Sequence, residues 1–106
     1  MDEKLQTILT ELRRRLQALY GPRLARLVLF GSQARGDAEP RSDIDILVVL
    51  HGAVTPGEEI ARTGAVAAEL SLEYDTVISC TFVSADRYLT EQSPLLLNVR
   101  REGVVV

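Results

Sequence analysis

The sequence contains one cysteine, Cys80, among its 106 residues. A single cysteine excludes a disulfide within the chain and is compatible with a reducing compartment. No apolar run approaches the roughly 18 residues that a membrane-spanning helix needs. The charged residues after Met1 do not resemble a secretory signal peptide. These absences make the cytoplasm the expected location, without a membrane span.

The chain also lacks the excess of basic residues that is typical of proteins that bind long nucleic acids. Lysine and arginine number 12 against 15 aspartates and glutamates, so the formal net charge is −3. The one tight basic run, at 13–15, is interpreted as a solvated helix face. The three tyrosines have no spacing that is typical of base stacking. The sequence therefore predicts no direct contact with long nucleic acid.

The composition, with 46% hydrophobic and 25% charged residues, is that of a globular domain with a sizeable core. We see no repeat, low-complexity segment or linker, and we expect a single domain over residues 1–106.

Hydrophobic periodicity predicts helices that alternate with short strands. The predicted helices lie at about 3–20, 32–36, 56–72, 84–91 and 94–101, and the predicted strands at 27–30, 44–50, 75–83 and 104–106. A polar loop is predicted at 37–42. In the long central helix the predicted buried positions are Ile60, Ala61, Val66, Ala67 and Leu70. Together these elements predict an α/β (α+β) fold, a small mixed β-sheet with helices packed on it.

One short segment carries most of the chemical information. A glycine–serine pair, Gly31-Ser32, follows the apolar run 27–30, and small residues there let backbone N–H groups approach a phosphate closely. Asp43 and Asp45 stand one residue apart where a second apolar run begins. Strand alternation puts both carboxylates on one face, about 6.5 Å apart along the strand.

Two carboxylates this close repel each other unless a cation or a proton lies between them. Mg²⁺ prefers such oxygen ligands and usually shares them with substrate phosphates. Taken alone, the aspartate pair is better interpreted as the solvated start of a strand, and a Gly-Ser turn is also weak evidence. At this spacing the two together predict a site for a metal-bound nucleoside triphosphate.

A family resemblance rests on the segments GSQARG (31–36) and SDIDILV (42–48). They resemble the motif of the nucleotidyltransferase superfamily with the DNA polymerase β-like fold. The likeness is closest to the minimal nucleotidyltransferases, the MNT proteins that pair with HEPN-domain partners. The segment from Ser93 to Val104 is similar to the closing helix and Glu-Gly turn of that family.

The resemblance implies a role for each residue of the motif. Gly31 and Ser32 would hold the β- and γ-phosphates of ATP, and Asp43 and Asp45 would bind two Mg²⁺ ions. A third catalytic and metal-binding carboxylate is implied on the neighbouring strand, where Asp75 is the matching position.

Some assignments around the motif stay open. The alternative to Asp75 as the third ligand is Glu73, on the same face of the predicted strand. Arg35 is expected either to reach a phosphate or to be a solvated loop arginine. Ser42 is expected either to brace Asp43 or simply to start the strand.

The same resemblance implies a function and a partner. The MNT protein is the antitoxin that moves AMP from ATP to a tyrosine of a HEPN ribonuclease toxin and silences it. One alternative is a non-catalytic nucleotide-binding subunit that neutralises its partner by forming a complex. Transfer to a small molecule, as in aminoglycoside-modifying relatives, ranks lower because those relatives carry extra substrate-binding structure. A homodimer and a hetero-oligomer with the toxin both remain open, with apolar residues of the last helix as an interface or as core.

Overall fold

The computed structural model describes residues 2–36 and 43–106, in which four strands form one mixed sheet. The strands are β1 (Leu24–Phe30), β2 (Ile44–Leu50), β3 (Ile78–Ser84) and β4 (Val104–Val105). Their order across the sheet is β3-β2-β1-β4. β2 and β3 run parallel, and the other neighbours run antiparallel. The predicted loop at 37–42, with Ser42 in it, lies outside the described residues.

The helices follow the predicted order along the chain. They are α1 (Glu3–Tyr20), α2 (Gly31–Arg35), α3 (Pro56–Glu73), α4 (Ala85–Thr90) and α5 (Pro94–Glu102). The predicted serine caps are present. The Ser84 hydroxyl accepts a hydrogen bond from the Arg87 amide at 3.2 Å, and the Ser93 hydroxyl accepts one from the Leu96 amide at 3.4 Å. Within the described ranges no helix is both long enough and apolar enough to cross a membrane.

Each face of the sheet is covered by its own pair of helices. One face packs against α1 and α3 through a large apolar cluster that includes Leu12, Leu16, Ile46 and Val48. The other face packs against α4 and α5 through a smaller cluster that includes Val28, Leu47, Tyr88, Leu96 and Val99. Because side chains alternate along a strand, the odd-numbered residues of β2 face α4 and α5.

The buried face of α3 differs from the predicted one. Ile60 is 58% exposed and Ala61 is exposed, so the prediction that they are buried was wrong. Leu70 is buried as predicted, and Glu59 and Thr63 are buried in place of Ile60 and Ala61. The cause is a polar contact that periodicity does not reveal. The Tyr20 hydroxyl donates a hydrogen bond of 2.8 Å to Glu59, which turns this acidic residue toward α1.

The turn between α3 and β3 also corrects the sequence-based prediction. The strand begins at Ile78, so Asp75 does not belong to it. Asp75 has φ +49°, and the Thr76 amide donates to the Ser71 carbonyl at 3.0 Å. This bond, together with a left-handed residue after the helix cap, is a Schellman motif that ends α3. Aspartate tolerates the left-handed conformation better than most residues, which explains the missed turn.

Candidate active site

The glycine that opens α2 lies directly against the aspartate pair. Gly31 has φ +74°, a conformation that side chains rarely adopt. A Cβ at this position would clash with Asp45 Oδ2 and lie 3.3 Å from Asp45 Cγ. Any larger residue there would strain the backbone and displace the Asp45 side chain, so the predicted phosphate turn and the predicted metal carboxylate meet at one point.

The register of the sheet brings this contact about. Asp45 is paired with Phe30 in the antiparallel ladder of β1 and β2, so the residue after Phe30 reaches the start of β2. Asp45 shares its face with Leu47, which packs under α4 and α5. It is partly buried at the margin of that cluster, while Asp43 is exposed just before the strand.

The two carboxylates are electrostatically unbalanced. Burial raises the pKa of Asp45, and the neighbouring charge of Asp43 raises it further. The described residues around the pair therefore do not balance its negative charge. A divalent cation would relieve this repulsion, and carboxylate oxygens are the ligands that Mg²⁺ prefers. The donor set and the charge of the site thus fit a magnesium ion.

The other predicted phosphate-binding residues lie on α2. Ser32 is partly buried in the first turn of this helix, next to Gly31. Arg35, in the last turn, is exposed, and its guanidinium lies 3.8 Å from the Glu102 carboxylate of α5. Ser42 lies outside the described residues, so its expected contact with Asp43 stays a prediction.

The structure does not bring the predicted third carboxylate to the pair. Asp75 is exposed in the turn after α3. The alternative, Glu73, lies at the end of α3 with its carboxylate 3.9 Å from the Arg15 guanidinium of α1. Among residues 2–36 and 43–106 no three histidine, cysteine, aspartate or glutamate side chains are grouped so that they could hold a metal. A ligand role for Asp75 stays a prediction.

The residue of β3 that does face the pair is Ser79, which the sequence reasoning did not single out. In the parallel register of β2 and β3, Ser79 is the partner of Asp45. Paired residues of neighbouring strands point to the same side of the sheet. The available signal was strand alternation, which puts Ser79 on the same face as Asp75 in the predicted strand 75–83. The register itself could not be read from the sequence.

A comparison with protein-family models decides the family. Residues 9–93 match the model of the nucleotidyltransferase domain. The chain belongs to this family. The predictions of a nucleotidyltransferase and of its mixed α/β fold are therefore confirmed.

Similar proteins agree with this membership. A candidate protein adenylyltransferase of Methanocaldococcus jannaschii is 35% identical over 72 residues, which cover 68% of this chain and 72% of the relative. The structure of a candidate minimal nucleotidyltransferase is 28% identical with a TM-score of 0.59, and the match covers 98% of this chain and 95% of that one.

A toxin–antitoxin crystal structure with AMP-PNP has the same fold. It matches with a TM-score of 0.64 and 21% identity, over 94% of this chain and 70% of that chain. At this identity the match shows only that this chain and the matched chain have the same fold.

A cleft of about 220 Å³ opens beside the Gly31 turn of the nucleotidyltransferase site. It lies between α2 and α5, on the face of the sheet that carries Asp45. Its walls are formed by Phe30, Gly31, Arg35, Leu95, Asn98, Val99 and Glu102. The α5 residues were not predicted to approach the site, because their position depends on the packing of Leu96 and Val99 on β1 and β2.

Proposed function

We propose that this nucleotidyltransferase moves AMP from ATP to a hydroxyl group of a protein partner. The partner would be a HEPN ribonuclease toxin with a tyrosine as the acceptor, which makes the chain its antitoxin. Two similarities support this choice. The relative that is 35% identical is named as a candidate protein adenylyltransferase, and a chain of the toxin–antitoxin structure with AMP-PNP shares the fold.

The observation that carries the proposal is the contact between the glycine turn and Asp45, the second residue of the aspartate pair. Phosphates held at the amides of Gly31 and Ser32 would lie beside the Asp45 carboxylate, because a Cβ on Gly31 would already clash with Asp45 Oδ2. Asp43 and Asp45 would hold Mg²⁺ between the protein and the triphosphate. A metal bound there would lower the pKa of the acceptor hydroxyl and neutralise charge on the departing pyrophosphate.

The chain contributes mainly orientation and electrostatics to the reaction. The acceptor oxygen forms a bond to the α-phosphorus, and the bond from this phosphorus to the bridging oxygen breaks. AMP remains on the acceptor, pyrophosphate leaves, and the hydroxyl proton passes to water. Gly31 and Ser32 keep the β- and γ-phosphates in line with this displacement. The cleft beside α5 leaves room for groups next to the reacting phosphorus.

The test combines the chain, Mg²⁺ and ATP labelled at the α-phosphate with the HEPN protein that co-purifies with it or is encoded beside it. We expect label on the toxin and loss of its ribonuclease activity. The double variant Asp43→Asn with Asp45→Asn should transfer at least about 1,000-fold more slowly, equal to about 4 kcal/mol of barrier. Asp86→Asn, which changes an exposed carboxylate of α4, is the matched control and should transfer normally.

A measurement of ATP binding on the same sample makes a negative labelling result decisive. If calorimetry shows that the chain binds ATP with Mg²⁺, yet no label reaches the toxin, transfer to this protein is wrong. If the toxin is labelled but keeps its ribonuclease activity, the proposed transferase activity stands and the proposed antitoxin function is refuted.

One observation favours a second candidate, neutralisation by complex formation. The described residues bring two carboxylates together rather than three, and a weaker metal site would slow transfer. Under this alternative the double variant still neutralises the toxin at native expression levels. Under the enzymatic proposal the toxin becomes active again in cells that carry the double variant.

A further inference from the structure

The position next to Asp45 on the neighbouring strand has a particular geometry. β2 and β3 are parallel, and Asp45 is paired with Ser79 in their register. Neighbouring strands lie about 4.8 Å apart, so a side chain at this position is the nearest that β3 can offer to the Asp45 carboxylate. A third ligand from this strand would have to stand here, and the residue is a serine.

No other carboxylate among the described residues joins Asp43 and Asp45 as the third ligand. Asp75 is used as the left-handed residue that ends α3. Glu73 lies toward Arg15 of α1. Glu102, on the wall of the cleft, lies 3.8 Å from both Arg35 and Arg101.

From this arrangement we propose that Ser79 replaces a metal-binding carboxylate and that Asp43 and Asp45 alone bind the cation. The chain without nucleotide then takes up one divalent ion weakly. An aspartate at position 79 would complete a three-carboxylate site. This inference rests on the proposed function, because it concerns the metal of the same site.

Mn²⁺ alone is a suitable probe, since free Mn²⁺ can be counted by electron paramagnetic resonance without any reaction. We expect the wild-type chain to bind one ion and Asp45→Asn to bind at least about tenfold more weakly. Ser79→Asp should bind Mn²⁺ at least about tenfold more tightly or take up a second ion. The asparagine of Ser79→Asn has nearly the same shape as aspartate but no charge. The Mn²⁺ affinity of this variant should stay within about twofold of that of the wild type.

Two further variants test whether the pair acts alone. Asp75→Asn preserves the left-handed turn, because asparagine also tolerates it. The double variant Asp37→Asn with Glu39→Gln removes the carboxylates of segment 37–42, which lies outside the described residues. Each should keep the Mn²⁺ affinity within about twofold. These variants report on the inference even if Ser79→Asp does not fold, which its thermal melt would reveal.

The outcomes separate this inference from the function that it builds on. The inference is overturned if Ser79→Asp binds Mn²⁺ no more tightly than Ser79→Asn. A loss in Asp75→Asn or in the loop variant as large as that in Asp45→Asn also overturns it, because another carboxylate is then a ligand. If Asp45→Asn itself binds Mn²⁺ like the wild type, the metal site of the proposed function fails as well.

Discussion

Two carboxylates at opposite ends of the central strands differ in almost every respect that matters for their use. Glu59 lies near the start of β1, where the His51 amide at the end of β2 donates to the Arg23 carbonyl. Asp45 lies at the other end, beside Gly31. Glu59 is the more deeply buried of the two, at 1% exposure. The pKa of Glu59 nevertheless lies below its usual value, whereas the pKa of Asp45 lies above its usual value.

The neighbours of each carboxylate explain this inversion. Burial would raise the pKa of Glu59, but hydrogen bonds from Tyr20 and Arg23 and the charges of Arg23 and Arg62 more than offset it. The Arg23 guanidinium lies 3.0 Å and that of Arg62 3.6 Å from its oxygens. Among the residues that the structure describes, none lowers the pKa of Asp45 in this way, and the nearby charge of Asp43 adds to the effect of its burial.

The difference teaches how to separate a carboxylate that the protein itself balances from one that is a candidate for binding a cation. A buried acid whose charge the protein itself balances stabilises the folded state or at least does not destabilise it. An acid that is left unbalanced, in contact with a glycine turn, costs stability, and this imbalance is what a bound cation would relieve. We therefore expect substitutions at the two sites to change stability in opposite directions.

The largest effect on stability is expected for Glu59→Gln. Removing one partner of a buried ion pair typically costs 3–5 kcal/mol. We expect about 3 kcal/mol of unfolding free energy, because Arg23 and Arg62 both reach solvent. Urea denaturation measures the loss. Nucleotide transfer by the fraction that remains folded should be unchanged.

Glu58→Gln is the matched control for this loss. Glu58 also lies in the first turn of α3, but it is exposed. Both substitutions remove the same interaction with the helix dipole, worth 0.3–1 kcal/mol. A loss in Glu58→Gln as large as that in Glu59→Gln would mean that the contacts with Tyr20 and Arg23 contribute nothing measurable.

The same two regions show what the sequence could predict. α1 and β2 have the predicted bounds, since a regular apolar spacing and a short run rich in isoleucine, leucine and valine are local signals. The adjacency of Gly31 to the aspartates followed from the motif and its family resemblance.

What the sequence could not predict depends on contacts between distant segments. The burial of Glu59 requires Tyr20 and Arg23, and the pairing of Ser79 with Asp45 requires the sheet register. The turn at Asp75 was missed because a left-handed helix end usually carries glycine.

A smaller effect on stability, with a clear effect on function, is expected for Gly31→Ala. Gly36→Ala is its matched control, because Gly36 also has a positive φ, +79°, and a Cβ there would meet no described heavy atom within 4 Å. The strained backbone should cost each variant about 1 kcal/mol. Only in Gly31→Ala must Asp45 also move, so we expect transfer to fall more than about tenfold in that variant.

Urea denaturation and single-turnover labelling of the partner measure these two variants side by side. Equal transfer rates in Gly31→Ala and Gly36→Ala would show that the contact of Gly31 with Asp45 does not matter for the reaction.

The subtlest expected effect is a difference in the sign of the pH dependence. The pKa of Asp45 is raised above 3.8 in the folded chain, so its ionised form costs stability at neutral pH. As the pH falls through that raised pKa, the folded chain takes up a proton and the cost disappears. The pKa of Glu59 is lowered below 4.5, so its stabilisation is present above 4.5 and is lost as the pH falls through the lowered pKa.

Thermal melts without metal, from neutral pH down to about pH 3, should reveal both signs. At neutral pH we expect Asp45→Asn to melt above the wild type and Glu59→Gln to melt below it. With falling pH the wild type should approach Asp45→Asn from below and Glu59→Gln from above, because each native carboxylate becomes neutral. If both differences have the same sign at neutral pH, the contrast between a balanced and an unbalanced carboxylate is wrong. Added Mg²⁺ should stabilise the wild type more than Asp45→Asn, because an ion that binds the folded state raises its stability in proportion to how tightly it binds.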